Sequence, residues 1–551
     1  MIKENIQIAY FSAEIGLSAE LPTYSGGLGV LAGDHIKASA DAGFPMLGIS
    51  LLYKEGYFKQ TISEDGNQEE SYPRFDIGEN LSPLKDKFSI RVRGRNVWIQ
   101  AYEYLHKSES GHVVPIYFLD TDIDENIDDD RLITLRLYSG DKDHRLLQES
   151  VLGFGGISFL ETLGFSSISK YHMNEGHSSF LTLALLEKFN GDENKVRSMC
   201  HFTTHTPVAA GHDSFSIDRC KKIIGSLMPG NLELPSTPKN RLHMTELGLN
   251  YSKTANGVSQ LHGDVAQNQF PDFMIDYITN GVYHPHWVGD SFSSLFDNRL
   301  SGWRTEPDLL KNLDNITDEE LQSAHENQKK ILIDYANIHA EKKLSSDMLT
   351  IGFARRAAEY KRANLVFSDI DRLLEMGRGK VQFIFSGKAH PKDDGGKDLI
   401  REVIQNANKL SNSINIVFLE NYNMTLGRLI TSGVDLWLNT PIRPMEASGT
   451  SGMKATLNGV PNFSILDGWW AEGCVHGKNG WAIGSANLGD DDSDANSLYE
   501  ILKNDIIKVY YSDKERWTRI MRNSIKTGVD FTAYRMVIEY QNKYYMTKVK
   551  M

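Results

Sequence analysis

Short apolar runs, rich in β-branched and aromatic residues, recur along the chain, each followed by a glycine-rich or polar turn and a helical pattern. The runs are residues 6–11, 113–119 and 273–279 in the first half and residues 348–353, 381–385, 414–419 and 434–438 in the second. Runs without polar alternation favour strands covered on both faces, and their alternation with helices favours parallel α/β layers. The two series predict an α/β fold with two doubly wound, Rossmann-like domains. Ligands of such folds bind at the carboxyl ends of the strands, where the polar turns lie.

The length of 551 residues exceeds what one hydrophobic core supports. We expect an N-terminal α/β domain at residues 1–283 and a C-terminal α/β domain at residues 284–551, with the last helices crossing back to the N-terminal domain. Thr317 and Glu320 have the spacing of a capping box and predict a long helix that ends near Lys343. The acidic residues 490–494 are interpreted as a solvated surface turn.

The net charge of −13 argues against a nucleic-acid partner, which would need a basic face. Cys200, Cys220 and Cys474 are odd in number and far apart, which favours free thiols in a reducing compartment. The N-terminus lacks the layout of a signal peptide, and no apolar stretch is long enough to span a bilayer. We therefore expect a cytoplasmic protein with no membrane partner.

Residues 446–458, with the sequence EASGTSGMKATLN, place one lysine inside an otherwise uncharged run that continues as an apolar helical pattern. A lysine is costly to bury, and its pKa falls readily when it loses water. Lys454 is therefore either a core residue whose ammonium reaches the surface or a Schiff-base amine.

Residues 24–33 form a glycine-rich loop that follows the first predicted strand and opens a helix. Glycines in such a loop let backbone N–H groups approach an anion at a helix N-terminus. A tight turn that packs the helix against the sheet explains the same glycines equally well.

Residues 355–362 carry four cations just after a predicted strand. A helix start disfavours cations unless anions lie there, so this position favours phosphate binding over a solvated basic face. His201, His205 and His212 could suggest a metal site, but two histidines four apart share a face on a helix and not on an extended segment. We expect no metal here.

In their order along the chain, these segments, together with residues 10–14 and 280–287, resemble the α-glucan phosphorylases of glycogen, starch and maltodextrin, in pattern closest to the compact bacterial and archaeal members. The resemblance spans about Tyr10 to Gly484. It implies a glycosyltransferase of GT-B architecture, with two Rossmann-like domains that face a central cleft. The implied reaction is retaining phosphorolysis of α-1,4-glucan by inorganic phosphate, which yields glucose 1-phosphate.

The same resemblance implies pyridoxal 5′-phosphate as the cofactor, bound to Lys454 as a Schiff base, with its 5′-phosphate as the proton-transfer group. The other implied cofactor-binding residues are Arg355 and Thr450 at the cofactor phosphate, Trp287 beside the cofactor, and Gly26 and Gly27 of the glycine loop. The implied catalytic residues are Arg356 and Lys361 at the substrate phosphate, His205 at the reacting glucose, and Glu446 at sugar hydroxyls. The implied substrate-binding residues are Asn280, Tyr360, Leu28 and the backbone of Ser448 and Gly449.

Three positions depart from the family pattern. Arg355 stands where many members have lysine, Ala358 where many have histidine, and Glu175 where the family has aspartate. Arg355 keeps its charge in a different geometry, and we expect no catalytic role for Glu175.

Two other functions stay open at this point: a nucleotide-sugar glucosyltransferase of the glycogen-synthase type, and a glucan-binding relative that has lost catalysis. Lys454 argues against the first, and the joint presence of Lys454, Arg356, Lys361 and Glu446 argues against the second. The expected partners are α-1,4-glucan, inorganic phosphate and further copies of the chain, as a homodimer or higher homo-oligomer. No counterpart of the regulatory N-terminal extension of the animal enzymes precedes Ile6, so we expect no control of that kind.

Overall fold

The computed structural model describes residues 5–78, 80–208, 211–230, 232, 234–235, 237–340, 343–485 and 489–545. The chain forms two compact units. The first contains the chain up to Phe58, Tyr72–Thr279 and the chain from Tyr534 onward, and the second contains Lys59–Ser71 and Asn280–Ala533. A single boundary after residue 283 therefore does not account for the short segment Lys59–Ser71, which comes before that boundary but belongs with the second unit.

Within the described residues, the first unit is built on a nine-stranded sheet in the order β13-β12-β9-β8-β1-β2-β7-β6-β5. The strands are β1 Ile8–Ser12, β2 Met46–Leu51, β5 Ser82–Val92, β6 Arg95–Lys107, β7 Val113–Asp120, β8 Lys170–Asn174, β9 Cys200–Thr203, β12 Thr254–Gly257 and β13 Ile275–Tyr277. The pairs from β13 through to β7 are parallel, and β5 and β6 add an antiparallel edge. A separate antiparallel pair consists of β10 Ser214–Ser216 and β11 Arg241–His243.

Helices follow most of these strands and cover the faces of the sheet. They are α1 Gly27–Asp41, α2 Asp128–Arg131, α3 Lys142–Ser150, α4 Gly156–Thr162, α5 Phe180–Lys188, α6 Glu193–Met199, α7 Ile217–Ile224, α8 Met244–Asn250 and α9 Gln260–Gln269. Strands such as β1, β2 and β8 are buried along nearly their whole length, as parallel strands between helices must be.

The described part of the second unit contains a parallel six-stranded sheet in the order β16-β15-β14-β17-β18-β19. Its strands are β14 Leu349–Ala354, β15 Val381–Ser386, β16 Ile416–Leu419, β17 Leu436–Asn439, β18 Asn462–Ile465 and β19 Gly480–Ile483. The helices are α10 His284–Trp287, α11 Asp290–Arg299, α12 Asp318–His339, α13 Ile370–Gly377, α14 Asp394–Lys409, α15 Met424–Gly433, α16 Thr450–Thr456, α17 Trp470–Gly473, α18 Asp491–Ile501, α19 Ile507–Ser512 and α20 Lys514–Val529. A further helix, α21 Ala533–Tyr540, belongs to the first unit from its second residue onward. None of the helices in the described ranges has the length and apolar content that crossing a bilayer requires.

Both sheets have the strand order of doubly wound folds, which confirms the predicted α/β class with two Rossmann-like domains. In the first sheet the chain moves from β1 to β2 and β7, and then returns to β8 on the other side of β1. In the second it moves from β14 to β15 and β16, and then returns to β17 on the other side of β14. Each sheet thus has a switch point, where adjacent strands send their following loops to opposite sides and open a crevice for a ligand.

The hairpin of β3 (Lys59–Ile62) and β4 (Gln68–Ser71) joins the second unit through two buried glutamines. Gln60 donates through Nε2 to the carbonyl of Gly387 at 2.8 Å, and the N–H of Ala389 donates to Oε1 of Gln68 at 2.9 Å. The two amides also bond to each other at 2.8 Å. The hairpin therefore fastens the loop that follows β15.

The last described helical segment packs on the first sheet through buried tyrosines and histidines. Tyr545 lies with its hydroxyl 2.5 Å from Nδ1 of His172, and the amide of Asn256 donates to the hydroxyl of Tyr540 at 3.0 Å. Burial lowers the pKa of His201 to about 3, so its ring is neutral at neutral pH. The same cause lowers the pKa of His35 to about 3 and holds the pKa of His172 well below its usual value. This layer of neutral rings and hydroxyls joins the end of the chain to β8, β9 and β12.

The capping box predicted at Thr317 is confirmed, because the Thr317 side chain accepts from the N–H of Glu320 and the Glu320 side chain accepts from the N–H of Thr317. The helix that it opens ends at His339, four residues before the predicted end. The predicted turn at residues 490–494 is wrong, since these residues open a helix, but residues 490–493 are exposed as expected and Asp494 is buried. Asp490 caps α18, and the first turn of this helix is acidic because it faces a buried arginine, Arg362.

Candidate active site

At the switch point of the second sheet, two cations meet one carboxylate. Arg355 follows β14, and Glu446 lies in the loop after β17. One guanidinium nitrogen of Arg355 lies 2.7 Å from Oε2 of Glu446, and Nζ of Lys361 lies 2.7 Å from the same oxygen and 3.0 Å from Oε1. These three side chains are 7–8% exposed. The structure thus brings together three residues that the sequence predicted for the site.

The ionisation state of Glu446 follows from these neighbours. Burial alone would raise the pKa of Glu446, but the Arg355 guanidinium and the Lys361 ammonium outweigh it and lower the pKa to about 2. Glu446 is therefore a carboxylate at any pH at which the protein would work, and it can only accept hydrogen bonds.

The backbone of Glu446 is held by Asp467, a residue for which the sequence predicted no role. Oδ2 of Asp467 accepts the N–H of Glu446 and Oδ1 accepts the N–H of Gly468, both at 2.9 Å. Burial, with the nearby charge of Glu446, raises the pKa of Asp467 to about 7. Asn439, at the end of β17, accepts from Arg355 and donates to the hydroxyl of Ser464 at 3.0 Å. Side chains of β17 and of the loop after β18 thus hold the group of Arg355, Lys361 and Glu446 in place through their contacts with Arg355 and Glu446.

Lys454 lies in the middle of α16 and is buried. The helix begins after Gly449, which adopts the left-handed conformation at φ 82° and so turns the chain sharply. A Cβ at Gly452 would lie 2.2 Å from Oδ1 of Asn462, so this glycine lets α16 sit close against β18. Nζ of Lys454 lies 3.5 Å from the centre of the Trp287 indole ring.

Asn458, one turn after Lys454, fixes this arrangement. Its Nδ2 donates to the carbonyl of Lys454 at 2.9 Å and to the carbonyl of Trp287 at 3.0 Å. Its Oδ1 accepts the N–H of Gly289 at 2.7 Å. Asn458 was quoted within the lysine motif but given no role. Asn458 lies two residues beyond the end of α16, and its bonds to Trp287 and Gly289 involve a distant loop, so the sequence carried no signal for this role.

The four cations of residues 355–362 separate into different roles. Arg355 and Lys361 contact Glu446, whereas Arg356 is exposed and Tyr360 is half-buried. Arg362 adopts a left-handed backbone conformation, pairs with Asp491 and Asp494 at 2.7 Å, and donates to the carbonyls of Thr440 and Pro441. Arg362 is therefore a structural residue that joins the loop after β17 to α18.

In the first unit, the glycine loop lies at the switch point between β1 and β8. The carboxylate of Glu14 accepts the N–H of Ser25 at 2.5 Å and that of Gly26 at 3.3 Å. Glycine is required by packing at Gly33, where a Cβ would lie 1.8 Å from the carbonyl oxygen of Gly16. A Cβ at Gly26 or Gly27 would have no described atom within 4 Å. Packing thus explains why the loop needs its later glycines. It does not explain Gly26 and Gly27.

His205 follows β9, close to the residues that follow β8. Its Nε2 lies 2.7 Å from Oδ1 of Asn174, and its backbone N–H donates to Oε2 of Glu175 at 2.7 Å. Because an amide oxygen only accepts, Nε2 carries the hydrogen. Burial lowers the pKa of His205 to about 4, so the ring is neutral at neutral pH. Glu175 holds an unfavourable φ of 78°, a form of strain that concentrates at functional sites.

The three histidines of this region have separate partners. His201 bonds to Thr254 and Asn256 inside the sheet, and His212 bonds to the hydroxyl of Thr245 at 2.8 Å. The other predicted residues of the first unit, Gly26, Gly27 and Leu28, lie at the start of α1. Those of the second unit include the buried Asn280, Trp287 and Ser448, and Thr450, which begins α16.

The chain is similar in sequence to known proteins of one family. The sequence model of the carbohydrate phosphorylase family matches residues 230–473. A maltodextrin phosphorylase of Thermococcus litoralis is 38% identical over 593 residues, which cover 98% of this chain and 70% of that protein. A glycogen phosphorylase of Aquifex aeolicus is 36% identical, with 98% of this chain and 86% of that protein covered. A glycogen phosphorylase of Mycobacterium tuberculosis is also 36% identical, with 98% and 70% covered. The predicted resemblance is confirmed, and the chain belongs to the carbohydrate phosphorylase family.

Proposed function

We propose that this protein is an α-glucan phosphorylase that transfers the terminal glucosyl unit of an α-1,4-glucan to inorganic phosphate, with retention, and releases glucose 1-phosphate. The observation that carries the proposal is the buried group of Arg355, Lys361 and Glu446 at the switch point of the second sheet, in the unit that also holds the buried Lys454. Cations at that position suit a phosphate, and a buried lysine suits a carbonyl cofactor.

The residues around Lys454 fit pyridoxal 5′-phosphate. The hydroxyls of Ser448 and Ser451 are buried and bond to no described residue, so a polar ligand would satisfy them. Lys454 would hold the cofactor, the face of Trp287 would pack against it, and Thr450 and Arg355 would bind its phosphate. The cofactor supplies, when bound, a second phosphate whose second pKa near 6 suits proton exchange around neutral pH.

The side chains of the second unit would bind and orient the substrate phosphate. Lys361 and Arg356 would hold its oxygens and offset repulsion between two neighbouring phosphates. Fixed cations in a site with little water stabilise developing charge strongly. The Glu446 carboxylate would accept hydrogen bonds from sugar hydroxyls, as would carbonyls near Ser448 and Gly449, and Tyr360 and Asn280 would contact the glucosyl unit.

In the first unit, His205 would act as a neutral ring. Its Nε2 hydrogen is directed to Asn174, which leaves Nδ1 as an acceptor for a hydroxyl of the reacting glucose. Gly26, Gly27 and Leu28 would let the start of α1 approach a bound anion or sugar closely. The proposed partners are therefore phosphate and an α-1,4-glucan. We propose further that the protein works in the cytoplasm as a homodimer or a higher homo-oligomer, which sedimentation would test.

The proposal is tested by the spectrum of the purified protein before and after borohydride, with peptide mapping, and by release of glucose 1-phosphate from maltoheptaose and phosphate. We expect a pyridoxyl adduct on Lys454 and phosphate-dependent release of glucose 1-phosphate. Lys454→Ala should lose both, whereas Lys514→Ala, at the exposed start of α20, should keep both. A protein that binds no pyridoxal phosphate, even after reconstitution, and uses a nucleotide sugar would be a glucosyltransferase instead.

A further inference from the structure

The carboxylate of Glu446 pairs with two of the three cations proposed to bind the two phosphates, Arg355 and Lys361. Glu446 contacts Lys361 through both of its oxygens and Arg355 through one, and its pKa of about 2 keeps it charged. In the proposed function, Lys361 serves the substrate phosphate and Arg355 serves the cofactor phosphate. Glu446 therefore bridges one cation of each phosphate.

The charges of this group cannot all remain in place when phosphate enters. Two buried cations share one carboxylate, so the group of three carries a net positive charge and attracts an anion. In the proposed function, two phosphate dianions and Glu446 would together carry more negative charge than Arg355, Arg356 and Lys361 can balance if Glu446 kept its position. Like charges in a buried site repel strongly, and the carboxylate is the group able to leave.

The geometry restricts how Glu446 can leave. Its backbone N–H is held by Asp467, and the chain turns through the left-handed Gly449 three residues later. A movement of the carboxylate would therefore have to come from the side-chain torsions of Glu446, while the loop stays in place. A carboxylate that rotates away from Lys361 would be an unpartnered acceptor, and sugar hydroxyls would satisfy it.

We propose that Glu446 is the internal counter-ion of the phosphate site, and that a phosphate bound at Lys361 displaces it and makes it available to sugar hydroxyls. The inference rests on the proposed function. Phosphate and glucan then bind with positive coupling, because each ligand lowers the cost of the shift that the other needs. Coupling of this kind typically amounts to about 5–150-fold in affinity.

The test is the affinity of the cofactor-loaded enzyme for sulfate, a tetrahedral dianion that cannot react. We expect Glu446→Gln to bind sulfate at least about fivefold more tightly than the wild type, since the competing charge is gone. If Glu446 instead held Lys361 in position for the anion, the same variant would bind sulfate more weakly. Glu402→Gln, in the exposed part of α14, removes one negative charge elsewhere and should change sulfate affinity less than twofold. An unchanged or weaker affinity of Glu446→Gln overturns the proposal.

A second measurement uses the wild type alone and stands even if Glu446→Gln fails to fold. The dissociation constant of maltoheptaose is measured with and without saturating sulfate, and that of sulfate with and without maltoheptaose. We expect each ligand to tighten the other by the same factor, about fivefold or more. Independent binding of the two would contradict the inference while leaving the proposed function intact. An enzyme that bound neither ligand and released no glucose 1-phosphate would contradict the proposed function itself.

Discussion

Nζ of Lys454 lies 3.5 Å from the centre of the Trp287 indole ring, although the two residues are far apart in sequence. A cation over an aromatic face gains about 0.5–2 kcal/mol, more when it is desolvated. The amide of Asn458 bonds to the backbone of both residues and keeps ring and ammonium together.

Asn458→Ala is expected to weaken cofactor retention and stability together. The variant loses three buried hydrogen bonds, and each donor or acceptor left behind costs about 1–3 kcal/mol. We expect a lower melting temperature and faster loss of cofactor during dialysis, followed by absorbance. Asn504→Ala, at an exposed position, is the matched control. If Asn458→Ala retained the cofactor as well as the wild type does, the hydrogen bonds of Asn458 would not be needed to hold Trp287 in place.

Arg356→Gln and Arg362→Gln should separate activity from stability. Arg356 is exposed, so its loss should leave the melting temperature unchanged and lower kcat/KM for phosphate by about 10²-fold. Arg362 is buried and paired, so its loss should cost about 3–5 kcal/mol, because Asp494 is left without its cation. Calorimetry and a phosphorolysis assay measure the two effects. Equal destabilisation by both variants would contradict the division of the cation cluster.

Gly27→Ala and Gly33→Ala distinguish close approach of a ligand from packing. The added methyl has open space at Gly27 but meets the carbonyl of Gly16 at Gly33. We expect Gly33→Ala to fold poorly. Gly27→Ala should keep its melting temperature and lose activity, because the methyl would obstruct a ligand at the start of α1. Full activity of Gly27→Ala would show that no ligand approaches this loop closely.

Stability should fall on acidification from about pH 6.5, before most carboxylates titrate. His35, His172 and His201 are held neutral in the fold by burial, whereas unfolded histidine has a pKa of about 6.5. The unfolded chain therefore binds more protons below that pH, and each such histidine removes about 1.4 kcal/mol per pH unit. Melting temperatures from pH 8 to 5 measure the effect.

His201→Gln should be less stable than the wild type at pH 8 but should lose less on acidification. His476→Gln, at an exposed position, should match the wild-type curve. A wild-type melting temperature that stays flat down to pH 5 would show that the buried rings take up protons without cost.

Features set by local sequence were predictable. The apolar runs located the strands before each motif, because a strand covered on both faces must be apolar throughout; the run 381–385 corresponds to β15. The capping box at Thr317 was predictable because its two residues, Thr317 and Glu320, lie within four residues of sequence. The family resemblance also named Arg355, Lys361 and Glu446 together, and these three side chains are in contact in the structure.

Features that depend on distant partners were not predictable. The acidic residues 490–494 resemble a solvated turn until Arg362, far upstream, is brought against them. Asp467 and Asn458 gain their roles from backbone groups of other loops, so their own neighbours in sequence gave no indication. The same holds for Gln60 and Gln68, which carry a hairpin of the N-terminal half into the second unit.

The contacts of Tyr540 and Tyr545 with the first sheet can form only late in synthesis of the first unit, because these tyrosines are made after the whole segment that precedes them. The ribosome adds about 5–20 residues per second, so the segment Asn280–Ala533 delays the last helical segment by roughly 10–50 s after Thr279 is made. During that interval the nascent first unit has its strands but not the tyrosines that cover His172 and Asn256. The first unit therefore completes its folding only after the segment Asn280–Ala533 and the tyrosines that follow it have been synthesised, and until then its uncovered sheet face is open to chaperones or to another nascent chain.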